Sequence, residues 1–236
     1  ASSDEAREMA LNLTPDVSYN GTTDRLNETS QALKLTDKFG APSFYGLKNI
    51  LGALKRAQAG GGLGMKELLD IAGTMRAIRA LSQWREKSAG VKTTLDGMFN
   101  MLFYDKGLEE RIFSSIRSED EMADNASQKL ASIRRKIKNT STGIKDKLDK
   151  IIRSQTHQKH LQDAIVTRRS GRYVEPVKSE HKSEVPGLVH DTSSSGATIF
   201  IEPMSVVEAN NELRILQADE REEINRVLLE LSSCAG

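Results

Sequence analysis

The sequence predicts a mainly α protein with a small β insert: a helical core domain, a long antiparallel coiled-coil arm and a strand-rich tip. Three observations carry that prediction. Apolar residues recur at three- and four-residue steps along most of the chain. The period switches to two between Asp163 and Glu202. Aromatics make up only 5% and prolines number five, too few for a sandwich or barrel. The expected segments are 1–118 for the core, 119–162 for an outgoing helix, 163–202 for the strands and 203–236 for a returning helix.

In the core, Thr22 to Phe39 reads as a helix through Leu26, Ala32, Leu33 and Leu35, and stops at Gly40-Ala41-Pro42. Leu47 to Ala59 follows, with Leu47, Ile50, Leu51, Leu54 and Ala57 on one face and Gly60-Gly61-Gly62 as terminator. Met65 to Lys87 repeats the pattern with Leu68, Leu69, Ala72, Met75, Ile78 and Leu81, and breaks near Gly90. Helices over Val91 to Phe103 and Glu109 to Ile116 complete this part. Trp84, Met101, Phe103 and Phe113 are expected to pack inside it.

Ser118-Glu119-Asp120-Glu121 has the form of a capping box, so a new helix is expected there. Ala126, Leu130, Ile133, Ile137, Ile144, Leu148 and Ile151 then form a narrow seam flanked by charge. Run to about Leu161, this helix would be about 65 Å long at 1.5 Å per residue. A compact globule of this chain length has a radius of gyration near ~17 Å, so the helix is expected to project as an arm. Short β-prone runs follow: Ala164 to Thr167, Arg172 to Val174, Gly187 to His190 and Ala197 to Ile201. Ser170-Gly171, Pro186-Gly187 and Ser195-Gly196 separate them. Pro203 suits the first position of the returning helix, whose apolar residues include Val206, Leu213, Leu216, Ile224, Val227, Leu228 and Leu231. Measured to Ser233 it covers about 46 Å. The shorter return, stopping in mid-pattern, predicts a piece of something larger.

Charge is segregated. The 236 residues carry 34 Lys+Arg against 33 Asp+Glu, yet 15 basic and five acidic residues fall between Lys129 and Lys182. A basic end is the footprint of phosphate binding. The residues expected at phosphates are Arg168, Arg169, Arg172, Lys178, His181 and Lys182 at the tip, with Lys145, Lys147, Lys150, Arg153 and Lys159 on the arm. Replacing Arg168, Arg169, Arg172, Lys178 and Lys182 together should flatten the salt dependence of binding by about two to four, with little change in stability. Arg168 and Arg169 should contribute unequally, because strand neighbours face opposite sides.

Other chemistry is not evident. Gly60 to Glu67 lacks the Lys-Ser/Thr ending of a phosphate-gripping loop. His157 and His160 stand one helical turn apart without a visible third ligand, so they read as surface side chains and no metal set is expected. His190, Asp191 and Ser193 suggest a triad, but strand neighbours diverge, which favours a structural hydrogen bond. The single cysteine, Cys234, suits a reducing compartment, and no run of 18 apolar residues or apolar leader occurs in ASSDEAREMA or beyond. A cytoplasmic protein, without a membrane partner and without catalysis in this stretch, is the expectation.

The run His190-Asp191-Thr192-Ser193-Ser194-Ser195-Gly196-Ala197-Thr198-Ile199-Phe200-Ile201-Glu202-Pro203 resembles the most recognisable segment of the bacterial MutS type-two paralogues. These are MutS-like proteins with a C-terminal Smr domain. Asp163 to Arg168, Gly171 to Val174 and Pro176-Val177-Lys178 resemble the same family's clamp. Gly40-Ala41-Pro42, Gly46-Leu47 and Glu67 to Ala72 resemble its helical core. Glu175 departs from the pattern, standing where the family usually has an apolar residue. The resemblance implies a core, lever and clamp, with ATPase and Smr nuclease domains beyond Gly236 and a short helix before Ala1. It further implies ATP and magnesium as cofactors of the parent rather than of this stretch, and a parent homodimer held mainly through the ATPase domain. Implied partners are branched or duplex DNA, gripped to suppress homologous recombination, or ribosomal RNA of collided ribosomes undergoing ATP-driven subunit splitting. A structural coiled-coil tether is the alternative of another class; five Lys/Arg against two Glu from Arg168 to Lys182 weigh against it.

Overall fold

A computed structural model of the chain describes residues 4–88 and 90–236. The break expected near Gly90 is present: the helix before it ends at Lys87, and Gly90 lies in a turn. The chain divides into two compact units, Ala1–Ala126 with Arg226–Gly236, and Ser127–Asn225.

The first unit is built on helices α1 (Asp4–Leu11), α2 (Tyr19–Phe39), α3 (Leu51–Gln58), α4 (Met65–Lys87), α5 (Asp96–Asn100) and α6 (Lys106–Ser115). Ser18 caps α2 by accepting from Gly21 N at 3.0 Å, and Gly40, at φ 79°, ends it. The helix α4 holds the centre: Leu68, Ile71, Ala72, Ala77 and Leu81 are buried at helical spacing against Leu108 and Ile112 of α6. Between those helices Glu109, 1% exposed, accepts from Arg79 and Arg76, each at 2.9 Å. Two expectations fail here. Only five residues of Val91 to Phe103 are helical, and Met101 (78%) and Phe103 (80%) are exposed rather than packed. Leu26 and Leu33 are exposed as well, leaving Leu35 as the buried residue of α2.

The outgoing helix does not begin at Ser118. That residue ends strand β1 (Ile116–Ser118) and pairs with Glu121 of β2 (Glu121–Met122) in a tight hairpin. Burial of Ile116 and Met122, cross-strand partners, holds this hairpin, and the Glu121 carboxylate accepts from Arg117 at 3.1 Å instead of from a helix cap. A 3-10 turn, Asp124–Ala126, follows.

In the second unit, α7 runs Gln128–Ile152 and a single turn, α8, runs Gln155–Gln158. Ser127 is the N-cap of α7, accepting from Leu130 N at 2.9 Å while its hydroxyl donates to Glu223 at 2.7 Å. At 25 residues α7 spans about 37 Å, not 65 Å. The strands β3 (Thr167–Arg169), β4 (Arg172–Lys178), β5 (Gly187–Thr192) and β6 (Thr198–Pro203) form an antiparallel sheet in the order β3-β4-β6-β5. Between β4 and β5 lies a second 3-10 turn, Ser179–Glu184. Pro203 closes β6 instead of opening the next helix, α9 (Met204–Ala235), which has 32 residues and spans about 48 Å. The length difference thus runs opposite to the one expected.

The part of α9 in this unit lies antiparallel to α7. Ile144 and Leu148 share a buried cluster with Val206 and Leu213, while Arg134 meets Glu220 at 2.7 Å and Lys129 meets Glu223 at 3.4 Å further along. Tyr173 of β4 joins that cluster, and a second one gathers Ile152, Leu161, Val177, Val185, Ile199 and Ile201. Pairing of β4 with β6 starts at Glu175, so the Tyr173 peptide groups have no strand partner on that side. The Asn210 side chain of α9 takes the place: Oδ1 accepts from Tyr173 N at 3.1 Å, and Nδ2 donates to Tyr173 O at 3.0 Å.

Candidate nucleic-acid interface

The β3–β4 hairpin turns through Ser170 and Gly171, at φ 51° and 81°, a two-residue turn of the type that matches strand twist. Cross-strand partners share a face, so Arg168 lies with Tyr173 and Arg169 with Arg172. The two arginines therefore meet different neighbours. The exposed Arg168 places its guanidinium 5.2 Å from the Tyr173 ring centre and donates to Gly171 O at 3.2 Å. Lys145 of α7 reaches the same ring at 5.8 Å. Arg169 instead stacks 4.0 Å over Phe200 and pairs with Asp191 at 3.3 Å.

Arg172 is not a free cation. Its Nη1 donates to both oxygens of the fully buried Glu202, at 2.8 and 3.0 Å, and Nη2 donates to Asn211 at 2.6 Å. His190 bonds the same carboxylate. The expectation that all five tip cations can be replaced without loss of stability therefore fails at Arg172, because a buried carboxylate would lose its partner. The triad reading disperses here too: His190 goes to Glu202, Asp191 to Arg169, and Ser193 Oγ accepts from Thr198 N at 3.0 Å.

On α7 the cations do not form one stripe. At about 100° per residue, Lys145 stands on one flank of the Ile144–Leu148 seam, Lys147 and Lys150 on the other, and Arg153, the C-cap just past Ile152, on the far side. All four are exposed, as are Lys159 and Lys182. Lys178 donates from Nζ to Lys159 O at 3.2 Å, which brings the end of β4 to the segment after α8.

The histidines differ from the surface pair expected. His157 Nε2 lies 2.8 Å from Oε1 of Glu175, which is 0% exposed and whose second oxygen is unpaired. Burial pushes the Glu175 carboxyl above the ordinary glutamate value, against the pull of His157. The departure at Glu175 is thus matched by a partner on α8. His160 is 9% exposed and faces His181 and Glu184. The hydrogen bond from His181 holds the Glu184 carboxyl below its ordinary value, and the charges of His160, His181 and Lys159 add to that. Sequence reasoning missed this group because its members come from two segments more than twenty residues apart; the only local signal was the three-residue step from His181 to Glu184.

Arg168, Lys145, Lys182 and Lys159 are exposed cations, the side-chain type that contacts phosphates more than base edges. Among the described residues, no helix is long and apolar enough to cross a membrane. No family model matches the chain. Relatives named endonuclease MutS2 match it closely. Those of Ruminiclostridium cellulolyticum and Acetivibrio thermocellus are each 46% identical, over 99% and 98% of this chain and 30% of their own length. That of Clostridioides difficile is 43% identical over 100% of this chain and 30% of its length. The chain spans about 30% of the length of these curated relatives.

Proposed function

Since the chain belongs to the MutS2 family, as a segment, we propose that it supplies the phosphate-gripping part of a larger MutS-like ATPase and nuclease that acts on branched DNA. In this reading the protein suppresses homologous recombination by holding branched intermediates. The observation that carries it is the convergence of two exposed cations, Arg168 and Lys145, on the Tyr173 ring beside the β3–β4 turn. A cation seated on a ring is oriented yet keeps its charge for an anion, and each of the two cations can neutralise one phosphate of a duplex. Recognition is then of backbone and shape rather than of sequence. The relatives' name, endonuclease, supports a reading in which cleavage belongs to the larger protein. ATP and magnesium belong there as well, since Gly60 to Glu67 has no nucleotide-gripping ending.

Competition tests the target. A labelled four-way DNA junction bound by the chain should be displaced by unlabelled junction at lower phosphate concentration than by ribosomes or ribosomal RNA. Preferential displacement by ribosomes would move the reading to collided ribosomes, and absence of binding to either would remove it.

A further inference from the structure

We propose that His160, His181 and Glu184 form a binding site for a late first-row divalent cation of the zinc type, tying the segment after α8 to the 3-10 turn Ser179–Glu184. One donor atom from each residue lies within 4.8 Å of the others. His160 Nδ1 is 2.8 Å from Glu184 Oε2, and His181 Nδ1 is 3.3 Å from Glu184 Oε1. Zinc bonded tetrahedrally at 2.0–2.1 Å sets its ligands about 3.3 Å apart, and each histidine nitrogen already stands near that distance from one oxygen of the Glu184 carboxylate, Oε2 for His160 and Oε1 for His181.

Local structure explains why these atoms converge. A 3-10 helix has three residues per turn, so side chains at i and i+3 eclipse, and His181 and Glu184 stand one above the other. The His160 and His181 rings meet edge to face, 4.9 Å between centres. Most telling is His160 itself. Its Nδ1 is buried and, although close to Glu184, makes no aligned hydrogen bond. A buried nitrogen left that way is costly, and native structures rarely keep one without a reason. A metal in the plane of the ring would use that lone pair directly. His157 is not part of the set, because its Nε2 faces Glu175.

Two neutral imidazoles and one carboxylate are a known zinc donor combination, leaving one tetrahedral position for water. The positive charge of Lys159 opposes a cation here, but its side chain is exposed and solvent screens it, whereas the ligand bonds are direct. Bound metal would fix the turn that presents Lys182 and follows Lys178, both cations of the candidate interface.

The test uses Co2+ and Zn2+ on the intact chain. Co2+ should bind at one equivalent with the visible ligand-field bands of a tetrahedral site, and Zn2+ should displace it. Zn2+ at about 100 times its dissociation constant should raise the folded-to-unfolded ratio about 100-fold. His181→Asn and Glu184→Gln, both on the accessible turn, should stay folded and weaken binding by at least about 100-fold, the upper end for loss of a mere outer-shell partner. Cys234→Ser, which removes the exposed thiol, should leave binding unchanged. No saturable binding below millimolar metal, unaltered binding in both turn variants, or binding lost with Cys234→Ser would each overturn the proposal.

Discussion

Replacing Lys145 and Arg168 by alanine should alter binding, whereas replacing Arg172 by alanine should alter folding. Each phosphate neutralised on B-DNA contributes about −0.9 to the slope of log affinity against log salt. Loss of two contacts flattens the slope by about 1.8. Between about 50 and 200 mM salt, a fourfold change, the native chain should lose about tenfold more affinity than the double variant. The cost to stability is the two ring contacts, about 0.5–1 kcal/mol each at exposed sites. Arg172 behaves differently because Glu202 is 0% exposed and would keep only His190. Breaking such a pair costs about 3 kcal/mol, roughly a 150-fold change in the unfolding equilibrium, and leaves the slope as it was. Anisotropy of a labelled junction across that salt range reads the slope, and urea unfolding reads the stability. A double variant with native slope, or a folded Arg172→Ala variant whose slope flattens by about 0.9, would refute the division made here between gripping and structural cations.

Two further predictions concern carboxylates. Burial raises the Glu175 pKa, so the folded chain binds more protons than the unfolded one above the ordinary glutamate value, and stability falls as pH rises through that window. Glu175→Gln, uncharged throughout, should therefore gain on the native chain between acid and neutral pH; a difference in unfolding free energy that is flat or reversed would contradict it. Glu109 has the opposite sign: the hydrogen bond from Arg79 lowers its pKa, so its contribution is present above the ordinary value and lost as acid takes it through the depressed one. Glu109→Gln should cost about 1.5–3 kcal/mol near neutrality, the range for hydrogen bonds to a charged group, and much less in strong acid, and thermal unfolding at both pH values would expose a constant loss if this is wrong.

Much of the fold was legible because it is encoded locally. The bounds of α4 follow from apolar spacing closed by glycines at its start, and the β3–β4 turn from Ser170-Gly171. The outgoing helix was misplaced where two local signals compete: a serine with glutamate three residues on serves a hairpin as well as a cap, and only burial of Ile116 and Met122 decides. The charge count located the basic region but could not separate its members. Glu202 lies 30 residues from Arg172, and no periodicity announces that pairing. His160 was read as surface for the same reason: burial by a distant turn leaves no mark on its own segment.

A primary amide carries the donor and acceptor of a peptide group in miniature, and Asn210 uses both on Tyr173. One rung of the sheet is thus lent by a helix. Such a rung hangs on two side-chain torsions, so it can be unhooked by a rotation that disturbs neither the helix ladder nor the strands. The Tyr173 amide proton is consequently guarded by α9 alone, and its exchange with solvent measures the seating of that helix rather than the opening of the sheet. The same latch holds the backbone of the residue whose ring orients Arg168 and Lys145, so the placement of both cations is only as steady as one asparagine.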